Sequence, residues 1–156
     1  MKGNKKVLGV LNELLGGELT AMDQYFIHSR MYDDWGLGEL HERISHESDD
    51  ERGHASRLIE RILFLEGTPD MTRRPDINVG KDVPEMLEND RQLEYATDKA
   101  LKEAIKTCEK EQDYQTREIL EKLLEDTEED HAYWLEKQLG LIDKVGIQNY
   151  LQSKMS

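Results

Sequence analysis

Residues 47–55 read ESDDERGHA and lead into the apolar segment LIERILFL at residues 58–65. At the 3,4 spacing of a helix, Glu51 and His54 fall on the same stripe as the apolar side chains of that segment. The stretch therefore predicts a helix with an ionisable pair on its buried face. Burial of such groups without partners is costly, so their partners decide the chemistry of the chain.

The composition is that of one helix-rich domain, which we predict to span residues 1–156. Of the 156 residues, 37% are hydrophobic and 35% are charged. The formal net charge of −13 argues against a nucleic acid partner or an anionic membrane surface, because both repel a negative field. The same charge would attract cations, or it serves only to keep the chain in solution.

The cysteine content and the first residues bear on the compartment. The single cysteine, Cys108, allows no intramolecular disulfide, which favours a reducing compartment. The opening stretch MKGNKKVLGVLNELL lacks the continuous apolar run and the cleavage site of a signal peptide. No stretch approaches the roughly 20 apolar residues that a membrane span requires. We therefore expect a cytoplasmic protein.

Hydrophobic periodicity and capping residues predict four long helices and a short fifth. The predicted ranges are Lys5–Trp35, Leu37–Glu66, Asp82–Glu111, Asp113–Gly140 and Ile142–Gln152. Gly16 and Gly17 weigh against the first helix, which we retain because its stripe continues in phase across them. Gly67, followed by Pro69, predicts a glycine C-cap at the end of the second helix.

The segment 68–83 joins the two predicted helical hairpins. It contains Pro69, Pro75 and Gly80 and shows no periodicity, and it is long enough to run the length of a bundle. Two hairpins joined by one long crossover favour an all-α, ferritin-like four-helix bundle over a simple up-down bundle.

Each predicted helix has a stripe of mostly apolar residues that should face the core, and the ionisable residues on these stripes repeat one pattern. The stripes of the first, second and fourth helices read Leu11, Leu14, Glu18, Ala21, Tyr25, His28, Tyr32; Leu40, Ile44, Glu47, Glu51, His54, Leu58, Ile62, Leu65; and Leu120, Leu124, Glu128, His131, Leu135, Leu139, Ile142. The third helix contributes Glu94, between Leu87 and Leu101. A lone glutamate, Glu18 or Glu94, therefore precedes each Glu-x-x-His pair, Glu51–His54 or Glu128–His131.

One such pair alone is weak evidence, because a surface Glu–His contact also explains it. Four unpaired carboxylates in one core would cost several kcal/mol each, against a net stability of roughly 5–15 kcal/mol. No lysine or arginine is expected at these levels to neutralise them. Two divalent cations would balance four carboxylates, with one imidazole completing each shell. These ligands suit iron or manganese, and zinc can occupy the same site.

The flanking sequences then resemble a known family. The segments ELTAMDQYFIHSRMYDDWG, ERILFLEGTP and GIQNYLQS, with the six ligand positions, are similar to bacterioferritin along nearly the whole chain. The resemblance implies a hollow shell of two dozen subunits, which oxidises Fe(II) with dioxygen or hydrogen peroxide and stores Fe(III) as mineral.

The resemblance also implies roles for individual residues. Glu51 and Glu128 would bridge the two ions of a di-iron centre. Glu18 and Glu94 would each bind one iron, and so would His54 and His131. His46 and Asp50 match residues of an inner-surface iron site of some members, or they belong to a solvated helix face. Asn149 and Gln152 match residues that line a four-fold pore.

One position departs from the family pattern. In haem-binding members a methionine that follows the bridging glutamate of the second helix ligates the haem iron, and here that position is Arg52. A guanidinium has no lone pair to donate. The resemblance therefore implies the subunit type without the haem ligand, and haem b is not expected from this chain alone. Met31 and Met86 are the substitutes to consider, but buried methionines usually serve packing.

Three functions remain open at this point. The first is a ferroxidase and iron-storage subunit, alone or mixed with a haem-binding subunit, whose iron a ferredoxin-type reductant would release. The second is a di-iron peroxidase or oxygenase without storage. The third is an acidic helical scaffold, in which the Glu and His positions are coincidental. Tyr25 and Trp134 would suit oxygen chemistry, and they would equally suit core packing.

Overall fold

A computed structural model describes all residues, Met1–Ser156, and the chain is entirely helical apart from its connections. The elements are α1 (Lys5–Asp34), α2 (Gly38–Phe64), α3 (Val83–Lys110), α4 (Tyr114–Glu125), a π-helical segment (Asp126–Ala132), α5 (Tyr133–Val145) and α6 (Ile147–Lys154). Because α4, the π-helical segment and α5 are continuous, they form the fourth long helix. The predicted all-α bundle with a crossover and a short last helix is confirmed. No helix combines the length and the apolar character of a membrane span.

Side-chain caps define the starts of three bundle helices. Asn4 Oδ1 accepts hydrogen bonds from the backbone N–H groups of Lys6 and Val7, at 2.8 and 3.3 Å. Asp82 and Asp113 cap α3 and α4 in the same way. Each cap satisfies backbone donors that have no partner within the helix. The predicted starts at these two aspartates are confirmed.

The end of α2 differs from the predicted glycine cap. Glu66, rather than Gly67, adopts the left-handed conformation, with φ of 63°. Gly67 N donates to Ile62 O at 2.9 Å and Glu66 N donates to Leu63 O at 3.0 Å, which is the Schellman pattern. Gly67 instead permits a close approach, because a Cβ there would lie 2.5 Å from Leu8 Cδ2.

The predicted break at Gly140 is wrong. Gly140 lies inside α5, and the helix ends at Gly146, which has φ of 84° and donates its N–H to Ile142 O at 2.9 Å. A single glycine costs a helix about 1 kcal/mol. Partly buried Leu139 and Ile142 continue to pack against the core on both sides of Gly140, and this contact holds the helix together.

The crossover, residues 65–82, runs along α1 from the level of Asn12 to that of His28. Asn12 Oδ1 accepts from Asp70 N at 2.8 Å, Thr20 Oγ1 donates to Pro75 O at 2.6 Å, and Gly80 N donates to His28 Nε2 at 3.1 Å. The chain therefore returns to the far end of the bundle before α3 begins. As a result α3 runs parallel to α2, as in the predicted topology.

Two separate apolar clusters form the core. One lies at the end that holds the start of α1, and includes Leu11, Leu58 and Leu101. The other lies at the opposite end, and includes Tyr32, Leu40 and Leu87. The ionisable residues of the inward stripes occupy the level between these clusters, so the apolar ends of the bundle hold a polar middle in place.

The two glycines of α1 provide a matched test of this packing. A Cβ at Gly16 would lie 2.3 Å from Arg73 O, whereas a Cβ at Gly17 would have no neighbour within 4 Å. We expect Gly17→Ala to stabilise the chain by up to about 1 kcal/mol through helix propensity. Gly16→Ala should destabilise it by roughly 1–3 kcal/mol, because the crossover must move. Urea unfolding of the metal-free proteins measures both, and equal stabilisation by the two substitutions would contradict the packing of the crossover on α1.

Candidate metal centre

Three carboxylates meet in the middle of the bundle. Glu18 on α1, Glu51 on α2 and Glu94 on α3 are 1–2% exposed. Each lies on the stripe that the sequence predicted, because α1, α2 and α3 keep regular α-helical phase through this level. The predicted burial of these three residues is confirmed.

Glu51 lies between the two histidines of the pattern. Its Oε2 is 3.7 Å from His54 Nδ1, and its Oε1 is 2.8 Å from His131 Nδ1. Glu18 Oε2 lies 3.3 Å from His54 Nδ1, and Glu94 Oε1 lies 3.3 Å from His131 Nδ1. The rings of His54 and His131 are nearly parallel, with centroids 5.9 Å apart. Two three-residue groups therefore share Glu51: Glu18–Glu51–His54 and Glu51–Glu94–His131.

The fourth helix does not bring Glu128 into this centre. The Glu128 side chain is 43% exposed, and its Oε2 lies 3.0 Å from Lys102 Nζ. The predicted stripe through Leu124 and Glu128 is wrong, since Leu123 and Thr127 take the buried positions. The buried residues Leu120, Leu123, Thr127 and His131 keep the 3,4 spacing of a helix, but on a stripe that lies one residue away from the predicted one at Leu124 and Glu128. The ligand role of Glu128 stays a prediction.

Glu47 is a buried carboxylate that the sequence reasoning did not assign to the centre. It is 2% exposed, and its Oε2 lies 2.5 Å from His131 Nε2. The expectation that no arginine reaches this level is wrong here, because Arg43 Nε donates to Glu47 Oε1 at 2.6 Å. Its place on the predicted stripe, four residues before Glu51, was the available signal.

Further carboxylates surround the two histidines on their outer sides. His54 Nε2 lies 3.0 Å from Asp126 Oδ2, and His131 Nε2 lies 3.2 Å from Asp50 Oδ2. Asp50 also belongs to a group with Glu47, Asp130 and His131 whose ligand atoms lie within 4.8 Å of one another. Asp126 and Asp130 are exposed residues of the π-helical segment, so a search for ionisable residues on the buried stripe could not locate them.

His46 and Asp50 lie at the surface beside the centre. His46 Nε2 is 3.5 Å from Asp50 Oδ2, and the two side chains are 64% and 31% exposed. Asp50 therefore contacts both His46 and His131. An iron site at this pair stays a prediction.

The pKa values show how the centre balances its charge without metal. Burial raises the pKa of Glu18 well above its usual value, and the neighbouring Glu51 raises it further. Burial also raises the pKa of Glu94. For His54, burial lowers the pKa, but the carboxylates of Glu18 and Glu51 outweigh it and raise it to about 11. The raised pKa of His54 favours a proton on its ring in the absence of metal, and metal binding would release that proton.

The donor set fits a pair of metal ions. Glu18 Oε1 is buried without a hydrogen-bond donor, which leaves a carboxylate oxygen free for a ligand. Carboxylate oxygens with one imidazole per ion suit iron or manganese. The centre is suited to a di-iron site, with Glu18 and His54 on one side, Glu94 and His131 on the other, and Glu51 between them.

Aromatic side chains border the centre on two sides. Burial raises the pKa of Tyr25, whose phenol donates a hydrogen bond to Glu94 Oε1. The Arg43 guanidinium lies over the ring of Trp134, 4.8 Å from its centroid. Tyr25 therefore orients a predicted ligand directly, whereas Trp134 reaches the centre only through Arg43 and Glu47.

The remaining predicted positions lie away from the metal centre. Arg52 is exposed on α2 and forms no ion pair. Asn149 and Gln152 are exposed on α6, where Asn149 Nδ2 donates to Val145 O at 2.8 Å. The haem and pore assignments at these residues stay predictions.

Comparison with known proteins agrees with the fold and the centre. Residues 8–145 match the family model of the ferritin-like domain. The chain is 65% identical over 156 residues to a protein of Synechocystis sp. named bacterial ferritin, with both chains covered completely. It is 56% identical over 155 residues to the bacterial ferritin of Pseudomonas aeruginosa, covering 99% of this chain and 100% of that protein.

A more distant relative carries the name that the sequence suggested. The bacterioferritin of Mycolicibacterium paratuberculosis is 43% identical over 150 residues, covering 96% of this chain and 94% of that protein. The predicted resemblance is confirmed: the chain belongs to the ferritin-like family, with relatives named bacterial ferritin and bacterioferritin.

Proposed function

We propose that this chain oxidises Fe(II) to Fe(III) at the buried centre and stores the product as mineral inside a shell of its own copies. The observation that carries the proposal is the position of Glu51 between His54 and His131, with Glu18 and Glu94 on its two sides. A shared carboxylate flanked by two imidazoles and two further carboxylates accounts for five of the six ligand positions of ferritin-like di-iron proteins, and Glu128 is the sixth.

Each residue of the centre has a distinct role in holding the substrate iron. Glu18 and His54 would bind one Fe(II), Glu94 and His131 the other, and Glu51 would bridge them. Tyr25 orients Glu94 by donating a hydrogen bond to its Oε1. When bound, the iron pair supplies two electrons at one place, which the protein residues themselves cannot do.

Glu128 would complete the centre by turning inward. Its present partner is Lys102, in a pair whose side chains are 55% and 43% exposed. Exposed ion pairs of this kind contribute about 0–1 kcal/mol, so breaking the contact costs little. A second bridging carboxylate on the metal pair would gain more than that, because the opposite charges would meet in a water-poor interior.

The electron balance fits either of two oxidants. Two Fe(II) give up one electron each, and with two protons these reduce hydrogen peroxide to two waters. The same two electrons and two protons reduce dioxygen to hydrogen peroxide. The centre does not discriminate between these oxidants by its ligands alone.

The family suggests how the chain assembles and which partners it has. A shell of two dozen subunits, formed alone or with a haem-binding subunit, would hold the mineral, and a ferredoxin-type reductant would release it. Asn149 and Gln152 would line its four-fold pore, and His46 with Asp50 would receive iron on the inner surface. We place this single-domain protein in the cytoplasm, because a free cysteine such as the buried Cys108 is typical of a reducing compartment.

The first experiment tests the oxidation centre. Anaerobic Fe(II) addition followed by air should oxidise two irons per subunit rapidly in the wild type. Glu18→Ala with Glu94→Ala should abolish this fast phase, since each side of the centre loses a carboxylate. The matched control is Glu13→Ala with Glu103→Ala, which removes two exposed charges from the same two helices and should leave the rate unchanged. A fast phase that survives the first double substitution would remove the catalytic claim.

A second experiment separates storage from a di-iron peroxidase or oxygenase that stores nothing. After repeated aerobic Fe(II) additions, we expect size-exclusion chromatography to give a shell of two dozen subunits that carries far more than two irons per subunit. A small oligomer that retains only the iron of its centre would favour the enzyme without storage. An acidic scaffold would retain none.

A third experiment addresses haem. Because Arg52 offers no ligand, the purified shell of this chain should show no strong Soret band in its absorption spectrum, whereas Arg52→Met restores the ligand type that haem-binding members use. One haem per pair of subunits in the unsubstituted protein would contradict this reading of Arg52.

A further inference from the structure

We propose that Asp126 is a positioning residue for His54: it holds the imidazole so that Nδ1 faces the carboxylates, and it thereby sets the affinity of the metal on that side of the centre. This inference rests on the proposed function, since it assumes that His54 binds metal. Asp126 belongs to neither of the two ligand groups around Glu51.

The geometry at His54 assigns a role to each ring nitrogen. Nδ1 lies 3.3 Å from Glu18 Oε2, inside the centre, whereas Nε2 lies 3.0 Å from Asp126 Oδ2, on the outer side. A neutral imidazole has one N–H and one lone pair. When Nε2–H donates to Asp126, the lone pair resides on Nδ1 and points at the metal position. Such an outer carboxylate fixes both the tautomer and the rotation of the ring.

His131 does not depend on a single outer carboxylate. Its Nε2 lies 2.5 Å from Glu47 Oε2 and 3.2 Å from Asp50 Oδ2. Glu47 is buried and is itself held by Arg43 Nε at 2.6 Å. His54 has only Asp126, whose side chain is 59% exposed and comes from a different helix. Loss of one carboxylate should therefore weaken one side of the centre and spare the other.

Asp126→Asn is the substitution that tests this role most specifically. It keeps the shape of the side chain, but an amide can donate to Nε2 as well as accept from it. The tautomer with its proton on Nε2 and its lone pair on Nδ1 is then no longer favoured. Because Asp126 is largely exposed, the substitution should not disturb folding. The control is Glu129→Gln, which removes the same charge from the same π-helical segment at an exposed residue that forms no ion pair.

Anaerobic Co(II) titration, followed by visible absorption and by calorimetry, tests the inference without any turnover. Wild type and Glu129→Gln should bind two Co(II) per subunit. Asp126→Asn should keep one Co(II) at wild-type affinity and bind the other about 10–100-fold more weakly, as is usual when the outer partner of a metal-binding histidine is lost.

A double-substitution cycle with His54→Ala shows whether Asp126 acts through the histidine. In the His54→Ala background, Asp126→Asn should change Co(II) binding no further. An equal loss in that background would make Asp126 a direct ligand or a general attractor of cations, and would overturn the positioning role. Two sites of wild-type affinity in Asp126→Asn would overturn it as well, with the proposed function intact. A wild type that binds no Co(II) would overturn both.

Discussion

The burial of three glutamates at one level of a helical bundle is the constraint on which the rest of this structure depends. Glu18, Glu51 and Glu94 each lie at 1–2% exposure, where an uncompensated charge costs several kcal/mol. The two apolar clusters above and below this level supply the stability that tolerates the cost. Without metal, the carboxylates of Glu18 and Glu51 raise the pKa of His54, which favours its charged form; with metal, two cations would compensate the carboxylates.

The fourth helix is the irregular wall of the centre. Three walls are regular α-helices, whereas the fourth widens into a π-helical segment at Asp126–Ala132. That segment carries His131 into the core, places Asp126 against His54, and leaves Glu128 on the surface with Lys102. Single-turn π-helical insertions often occur at functional sites. Here the segment contains both His131, which is buried in the centre, and Glu128, which lies at the surface.

The sequence predicted the regular helices well because their phase is set by a fixed period. The burial of Glu18, Glu51, His54 and Glu94 followed from the 3,4 spacing of the apolar residues around them. On the fourth helix the same spacing admits two neighbouring stripes, and the buried side chains follow the one through Leu123 and Thr127, which leaves Glu128 outside. The glycine at position 140 predicted the end of the fourth helix, although packing of the residues on either side carries the helix to Val145.

Contacts between residues of different helices could not be predicted from the sequence either. The inward stripe indicated that Glu47 is buried, but only the bundle shows that it contacts His131 and is paired with Arg43. Asp126 is 72 residues from His54, so no local pattern connects them. The burial of most predicted ligands was therefore predictable, whereas their contacts with residues of other helices were not.

The most direct test of the centre is anomalous diffraction at the iron edge from crystals soaked anaerobically in Fe(II). Two peaks per subunit, one beside His54 and one beside His131, with Glu51 between them and Glu128 turned in from Lys102, are expected. Iron found only at the exposed carboxylates, with no peak beside either buried histidine, would contradict a di-iron centre in this bundle.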